Sequence, residues 1–321
     1  MMPYLSLRVK FMKKFLCILC AIRSILIAGL EVNIIANFDI NELPAKFLSI
    51  KQQFDFNTVS LSDYFENKSP QNTNLNKIII FNPYFDRQLI SNLPRDKLVL
   101  FVWEPETLPM EFYDQYAKVY TWDDNLIDNK KFFRFNYPYL MPMQENPISF
   151  ETRKLCTMVV GNWTRERLNI LQFFSSTHPE EFECYGRTCP NDSSLWKGAI
   201  PGLHSGNEKI SVLQKYRFCI CFENTIGLQG YITEKIFSCF AAGCIPVYWG
   251  AENIENYIPK TCFIDYRDFD SHAELYEFLS TMSLERYQKY CKSIESYLDS
   301  EQAQIFSPSY FDTLIYQAVS Q

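Results

Sequence analysis

From Phe222 to Lys235 the chain reads FENTIGLQGYITEK. The stretch sets two carboxylates, Glu223 and Glu234, beside the amide of Asn224, the phenol of Tyr231, the ammonium of Lys235 and two glycines, Gly227 and Gly230. Glycines let a backbone turn and come close to a ligand. Lys235 in the first turn of a helix adds a full charge to free N–H groups and a positive dipole end, and together these can hold a diphosphate without a metal. An acid in the same turn is repelled by phosphate, so Glu234 makes chemical sense where it meets a sugar hydroxyl or a developing positive charge. Taken singly, each residue also has an ordinary reading: Glu234 complements the helix dipole and Lys235 is a solvated cation. A GxxG pair alone is equally unspecific. The ordered string is what points to a phosphate-bearing ligand.

Such a string needs a strand before it and a helix after it. Tyr216–Phe222, YRFCICF, is an apolar and aromatic run that predicts a buried strand, with Glu223 and Asn224 at its carboxyl end, where open α/β sheets bind ligands. From Ile232 the apolar spacing is helical, and Gly243 supplies a stop. Strands are expected at 30–38, 77–81, 98–103 and 119–122, then at 155–160, 182–185, 216–222, 245–249 and 262–265, with helices from about 164 and from 271 onwards. Between the two sets Pro138, Pro142 and Pro147 predict an extended connector. The expected organisation is a basic, apolar segment at 1–30, a Rossmann-like domain at 31–140, a linker at 141–152 and a second Rossmann-like domain at 153–321. The last helix, from Pro308, can return to the first domain.

A length of 321 residues suits two domains, and 47% hydrophobic residues allow full cores. Net charge of −6 and a pI near 5.3 argue against nucleic acid as the main partner. Eleven cysteines, several in apolar runs such as Cys219, Cys221, Cys239 and Cys244, read as small buried hydrophobes in a reducing compartment. Cys17 and Cys20 have metal-like spacing but no second pair, and His178, His204 and His272 are too scattered for a cluster. Asp268-Phe269-Asp270 matches a metal-binding Asp-x-Asp in text, but its place before a helix at 271 makes capping the expected job. Residues 1–30 carry Arg8, Lys10, Lys13, Lys14 and Arg23 and no acid. Their apolar run is shorter than the ~20 residues of a span. It reads as a signal-like segment, an amphipathic helix on anionic lipid, or an ordinary first helix; peripheral membrane contact and no membrane role are evenly balanced.

FENTIGLQGYITEKIFSCFAAGCIPVYWG, residues 222–250, resembles the donor block of glycosyltransferase family 10, the α-1,3/1,4-fucosyltransferases, whose pattern runs FENS, GYVTEK, a helix and IPVYWG. Thr225 and Ile232 are the departures. Ile258-Pro259-Lys260, Phe263-Ile264 and Asp268-Phe269 are similar to the family's continuation, and Cys184-Tyr185-Gly186-Arg187 to its SYGRC turn. The likeness covers about residues 155–300 and thins before 140, where acceptor specificity lies.

The resemblance implies an α/β, GT-B-like fold, with two Rossmann-like domains facing a central cleft. It implies transfer of fucose from GDP-fucose to an acceptor hydroxyl with inversion, GDP-fucose being a substrate and no metal or other cofactor being required. For the leaving diphosphate it implies Arg167, in NWTRERLNILQFF, together with Lys235; Arg165 is the competing assignment. For the donor sugar and ribose it implies Asn224, Tyr231 and Glu234, while Glu223 reads as a structural acid. For the general base it implies Glu104, in WEPE after the strand LVLFVW, with Glu106 the alternative. Glu104 and Glu234 are thus the expected catalytic carboxylates. The acceptor is an oligosaccharide, lipopolysaccharide-like or of N-acetyllactosamine type. The location is cytoplasmic with membrane association, or a Golgi-type membrane if residues 1–30 are a signal anchor. Two other functions stay open. One is a transferase of the same fold that uses another nucleotide sugar, since phosphate contacts do not recognise the hexose. The other is a catalytically silent glycan-binding protein, against which the intact set of Glu104, Arg167, Glu234 and Lys235 speaks.

Overall fold

The structure, a computed structural model, describes residues 31–36, 55–59, 77–81, 91, 93–145, 148–190, 193–202 and 206–320, the first two segments as backbone. One sheet is built from β1 (Glu31–Ala36), β2 (Asp55–Val59), β3 (Lys77–Phe81), β4 (Leu98–Phe101), β5 (Lys118–Thr121) and β6 (Phe132–Arg134), in the order β2-β1-β3-β4-β5-β6. The pairs among β1, β2, β3 and β4 are parallel. A short helix, α1 (Met110–Tyr113), precedes β5. The other sheet is built from β7 (Lys154–Val160), β8 (Phe182–Gly186), β9 (Tyr216–Phe222), β10 (Ile245–Trp249) and β11 (Ile264–Asp265), in the order β11-β10-β9-β7-β8, with all its pairs parallel. Its helices are α2 (Arg165–Thr177), α3 (Asn207–Leu213), α4 (Glu234–Ala241), α5 (His272–Ser280) and α6 (Leu284–Leu298), and α7 (Pro308–Ser320) ends the chain.

β9 shows why the second sheet forms. Its alternate residues Phe218, Ile220 and Phe222 pack with Ile170, Leu171 and Phe174 of α2. Cys219 and Cys221, on the opposite face, pack with Ile236, Phe237 and Phe240 of α4. Both faces are covered, so the strand reads as a continuous apolar run rather than an alternation. Each fully buried Phe or Ile contributes about 1.5–3 kcal/mol. The strand order is doubly wound, with the topological switch between β7 and β9. Ligands bind outside the carboxyl ends of strands at such a point. Helices in this layout run against their strands, so α2 and α4 both begin at that edge.

The described residues divide into two units. One holds those up to Val102, Leu108–Val119 and those from Asp312; the other holds Trp103–Thr107 and Tyr120–Phe311. Residues 120–145 therefore go with the second unit, earlier than the linker expected at 141–152. The reason is local bonding: Leu140 N–H donates to Phe306 O at 2.8 Å and Gln144 N–H to Ala241 O at 2.8 Å. The last ten residues go with the first unit.

Some elements differ from expectation. α4 begins at Glu234 rather than Ile232, because Thr233 is its extended N-cap; Gly243, at φ 59°, ends it. The cap of α5 is Ser271, whose Oγ accepts from Glu274 N–H at 3.2 Å, and not an aspartate. Asp268 instead pairs with Lys260 at 3.0 Å, and Asp270 gives its N–H to Glu274 Oε2 at 2.9 Å. The described cysteines are free thiols, and Cys156, Cys184, Cys219, Cys221, Cys239, Cys244 and Cys262 are buried. Residues 1–30, with Cys17 and Cys20, and His204 lie outside the described residues. Among the described residues no helix is long and apolar enough to cross a membrane.

Candidate active site

Glu223 is the centre of the site. It leaves β9 with its backbone N–H bonded to Trp249 O at 2.8 Å, and its carboxylate is buried. Oε1 accepts from Thr233 N–H at 2.9 Å, and Oε2 accepts from Lys235 Nζ at 2.9 Å and Thr233 Oγ1 at 2.8 Å. Gly250 makes room for it: a Cβ there would lie 2.5 Å from Glu223 Cγ and overlap the Tyr248 hydroxyl. Glu223 thus bonds loop groups and holds the start of α4, the structural role expected for it. Because the Thr233 hydroxyl is taken up by Glu223 and Lys235, it makes no cap bond to the helix. The first-turn N–H groups of α4 are left without that side-chain acceptor.

Lys235 also lies 3.8 Å from Glu234 Oε1, and both side chains are 18% exposed. Burial alone lowers the Lys235 ammonium, but Glu223 and Glu234 outweigh it and hold it above the ordinary lysine value. Burial likewise pushes the Glu234 carboxyl up. Lys235, Lys209, the Thr233 side chain and a backbone N–H outweigh this and bring it down to about 2. Glu234 is therefore a carboxylate at every physiological pH.

Arg167 comes from α2, after β7. Thr164 Oγ1 accepts from Arg167 N–H and caps the helix. The side chain is only 2% exposed, and it crosses to the carboxyl end of β9: Nη2 donates to Phe222 O at 2.5 Å and to Asn224 Oδ1 at 3.2 Å, and Nη1 donates to Asn162 O. Burial lowers its guanidinium value and Glu223 opposes that. These bonds do not exhaust the guanidinium's donors. Arg165 is exposed at the first helical position.

Tyr231 is buried, with its ring at 5.1 Å and 66° from Trp122 and at 5.9 Å and 83° from Tyr137, both edge-on. Burial, then the charges of Glu223, Glu234 and Glu104, raise its phenol well above the ordinary range. Glu104 lies on this side of the site. Its carbonyl accepts from Trp122 Nε1 at 3.1 Å, the preceding carbonyl, of Trp103, accepts from the Tyr137 hydroxyl, and the Glu104 charge acts on both phenols. Glu104 is half-buried and Glu106 exposed.

The structure thus brings Arg167, Asn224, Tyr231, Glu234 and Lys235 together at the switch point, with Glu104 beside Tyr231 and Tyr137. Arg165 and Glu106 are exposed. Three residues escaped the sequence reading: Trp122, Tyr137 and Lys209. Lys209 is 8% exposed in the first turn of α3, which packs on α4. Its signal was its position four residues before the buried Leu213, on the apolar face of a helix. Among the described residues no group of three or more His, Cys, Asp or Glu is placed to hold a metal ion.

Doubly wound α/β units with this site at a strand-end switch define a GT-B-like fold. Residues 150–308 match the family model described as glycosyltransferase family 10 (fucosyltransferase), C-terminal part. The chain is 34% identical over 151 residues to the Mus musculus protein named 4-galactosyl-N-acetylglucosaminide 3-alpha-L-fucosyltransferase 9, which covers 44% of this chain and 38% of that relative. The chain thus spans well under half the length of the curated relative it matches. Among solved structures it is similar to an alpha1,3-fucosyltransferase with GDP-fucose, at a TM-score of 0.56 and 15% identity, covering 91% of this chain and 90% of that one. It is also similar to the DNA-modifying enzyme beta-glucosyltransferase, at a TM-score of 0.58 and 13% identity, covering 91% of this chain and 100% of that one. At those identities the likeness is one of fold.

Proposed function

We propose that this chain is an inverting glycosyltransferase that moves fucose from GDP-fucose to a hydroxyl of an acceptor glycan, in an α-1,3-fucosyltransferase-like reaction. The observation that carries this reading is the meeting of Arg167, Asn224, Tyr231, Glu234 and Lys235 at the β7–β9 switch, inside the residues that match the fucosyltransferase family. The activity named for the mouse relative and the GDP-fucose named in the solved neighbour support the donor.

In this reading the diphosphate lies at the start of α4, where the dipole end and first-turn N–H groups favour an anion. Arg167 and Lys235 neutralise the charge that builds as the bond from fucose C1 to the β-phosphate oxygen breaks and its electron pair leaves with GDP. The acceptor oxygen attacks C1 from the opposite face, and its proton passes to the Glu104 carboxylate. One displacement turns a β-linked donor into an α-linked product. Asn224 and Tyr231 bond the donor sugar. Glu234, ionised by its surroundings, accepts from a ribose or fucose hydroxyl and faces the oxocarbenium-like charge.

The cations and helix dipole fill the place a divalent ion would take, so transfer is expected to survive EDTA. The acceptor is an oligosaccharide, lipopolysaccharide-like or of N-acetyllactosamine type. Contact of residues 1–30 with anionic membrane, at a cytoplasmic or Golgi-type surface, is supported by their five cations and absence of acids. Anionic vesicles should bind the full chain at low salt and bind a chain lacking residues 1–28 less; equal binding would refute the surface role. The reaction itself is tested by proton NMR of the product from GDP-β-fucose and N-acetyllactosamine. An α-linked fucoside is expected. A β-linked product, or no fucosylated product from folded protein, would overturn the reading.

A further inference from the structure

The loop between β9 and α4 is tied down at two separate places. At its nucleotide end Glu223 holds Thr233 and Lys235, and Gly227 N–H donates to Gly250 O at 2.9 Å. At the other end, next to Tyr231, the ties come from an aspartate far away in sequence. Asp124 N–H donates to Gln229 O at 3.3 Å. The Asp124 carboxylate accepts from Asn253 Nδ2 at 2.5 Å, and Asn253 Oδ1 in turn accepts from Gly230 N–H at 2.8 Å. The carbonyl and the N–H of the Gln229–Gly230 peptide are thereby both engaged, one by Asp124 and the other through its relay.

Asp124 is itself held firmly. Tyr257 donates its hydroxyl to both carboxylate oxygens, at 2.6 and 2.7 Å, and Arg134 forms an ion pair with the same carboxylate while also reaching the Tyr257 hydroxyl. Gly230 sits so close beneath Trp122 that a Cβ would overlap the Trp122 carbonyl oxygen, and its φ of 87° suits glycine. Trp122, two residues before Asp124, is the ring against which Tyr231 packs. One short segment therefore positions both the backbone before Tyr231 and the surface beside its ring.

We propose that Asp124, acting through Asn253, is the positioning residue that aligns Tyr231 and sets selectivity for the donor hexose, while nucleotide affinity is set elsewhere. This rests on reading Tyr231 as a donor-sugar contact. The separation follows from the two anchors: the Glu223, Lys235 and Arg167 contacts share no bond with Asp124. Asp124 touches no substrate in this scheme and is not catalytic.

The test compares wild type with Asp124→Asn, which keeps the shape and weakens the hold on Asn253 and Arg134. Asn253→Ala removes the relay and leaves the Asp124–Arg134 pair intact, so it serves if Asp124→Asn does not fold. Calorimetry gives GDP affinity, and initial rates give kcat and KM with GDP-fucose and with GDP-mannose. GDP affinity should stay within about twofold, while kcat with GDP-fucose and the preference over GDP-mannose should each fall about tenfold to a hundredfold, as displacement of a positioning contact produces. A merely structural role would lower thermal stability or all affinities together and leave the preference unmoved. Parallel loss of GDP affinity, or an unchanged preference in a folded variant, overturns the proposal. Failure of the wild type to bind GDP at all overturns the functional reading, and the proposal with it.

Discussion

Replacing Lys235 with methionine removes the ammonium that separates two carboxylates. In the native protein its Nζ lies 2.9 Å from Glu223 Oε2 and 3.8 Å from Glu234 Oε1, and the Glu223 side chain has no exposure. Breaking a buried pair by removing one partner costs about 3–5 kcal/mol. Glu234 gives a second figure. A carboxyl brought from 4.5 to about 2 contributes about 3 kcal/mol at pH 7, which solvent at its part-exposed oxygens trims to about 2–3 kcal/mol. That contribution is present in full above the unfolded value and is lost as pH falls through about 2. Lys235 is the largest influence lowering Glu234, so without it the carboxyl moves up from about 2. The variant should then regain ground relative to wild type as pH falls from 7 and that raised carboxyl takes up its proton. Urea denaturation of folded Lys235→Met should show a penalty of about 3 kcal/mol at pH 7 that narrows at pH 4.5. GDP affinity by calorimetry should fall about tenfold to a hundredfold, for one lost charge-assisted contact. A penalty below about 1 kcal/mol, or one identical at both pH values, would refute the buried-pair reasoning.

Arg167→Ala should cost about tenfold to a hundredfold in GDP affinity by calorimetry, and Arg167→Lys should not restore it, because one ammonium cannot replace a guanidinium that reaches Asn162, Phe222 and Asn224 together; Arg165→Ala should change it less than about twofold. Gly250→Ala should destabilise by about 1–3 kcal/mol in urea and weaken GDP binding, since its Cβ meets Glu223, whereas Gly161→Ala, with open space around it, should be near neutral in the same assay. Glu104→Gln should lower turnover about 10²–10⁴-fold at saturating donor with GDP affinity near normal, and Glu106→Gln far less; the reverse order would exchange their roles, and two active variants would put the base elsewhere.

The legible parts of this molecule were those carried by local pattern. YRFCICF announces a buried strand because both of its faces are apolar, and the spacing after Ile232 announces the helix that follows. β2, DFNTV, mixes polar and apolar residues, and β6 is three residues long, so neither carries a signal of its own. The choice between Arg165 and Arg167 did have one: Arg167 shares a face with Ile170, Leu171 and Phe174 at helical spacing, so the buried arginine is the one on the apolar stripe. Lys209 could be found in the same way. Glu104 and Glu106 could not be separated, because their exposure depends on Trp122 and Tyr137, which reach that segment only in the fold. The Asp124–Asn253 bond joins residues 129 apart, and no local pattern marks such a pair.

The central claim is tested most directly by nucleotide release from a donor panel. Wild-type protein is mixed with N-acetyllactosamine and, in turn, GDP-fucose, GDP-mannose and UDP-glucose, and initial rates of GDP or UDP appearance are measured with and without acceptor. Acceptor-dependent release of GDP from GDP-fucose, well above the other two donors, is the predicted result. Faster release from another nucleotide sugar would assign a different donor, and tight binding of GDP-fucose with no acceptor-dependent release from any donor would make the protein a silent binder.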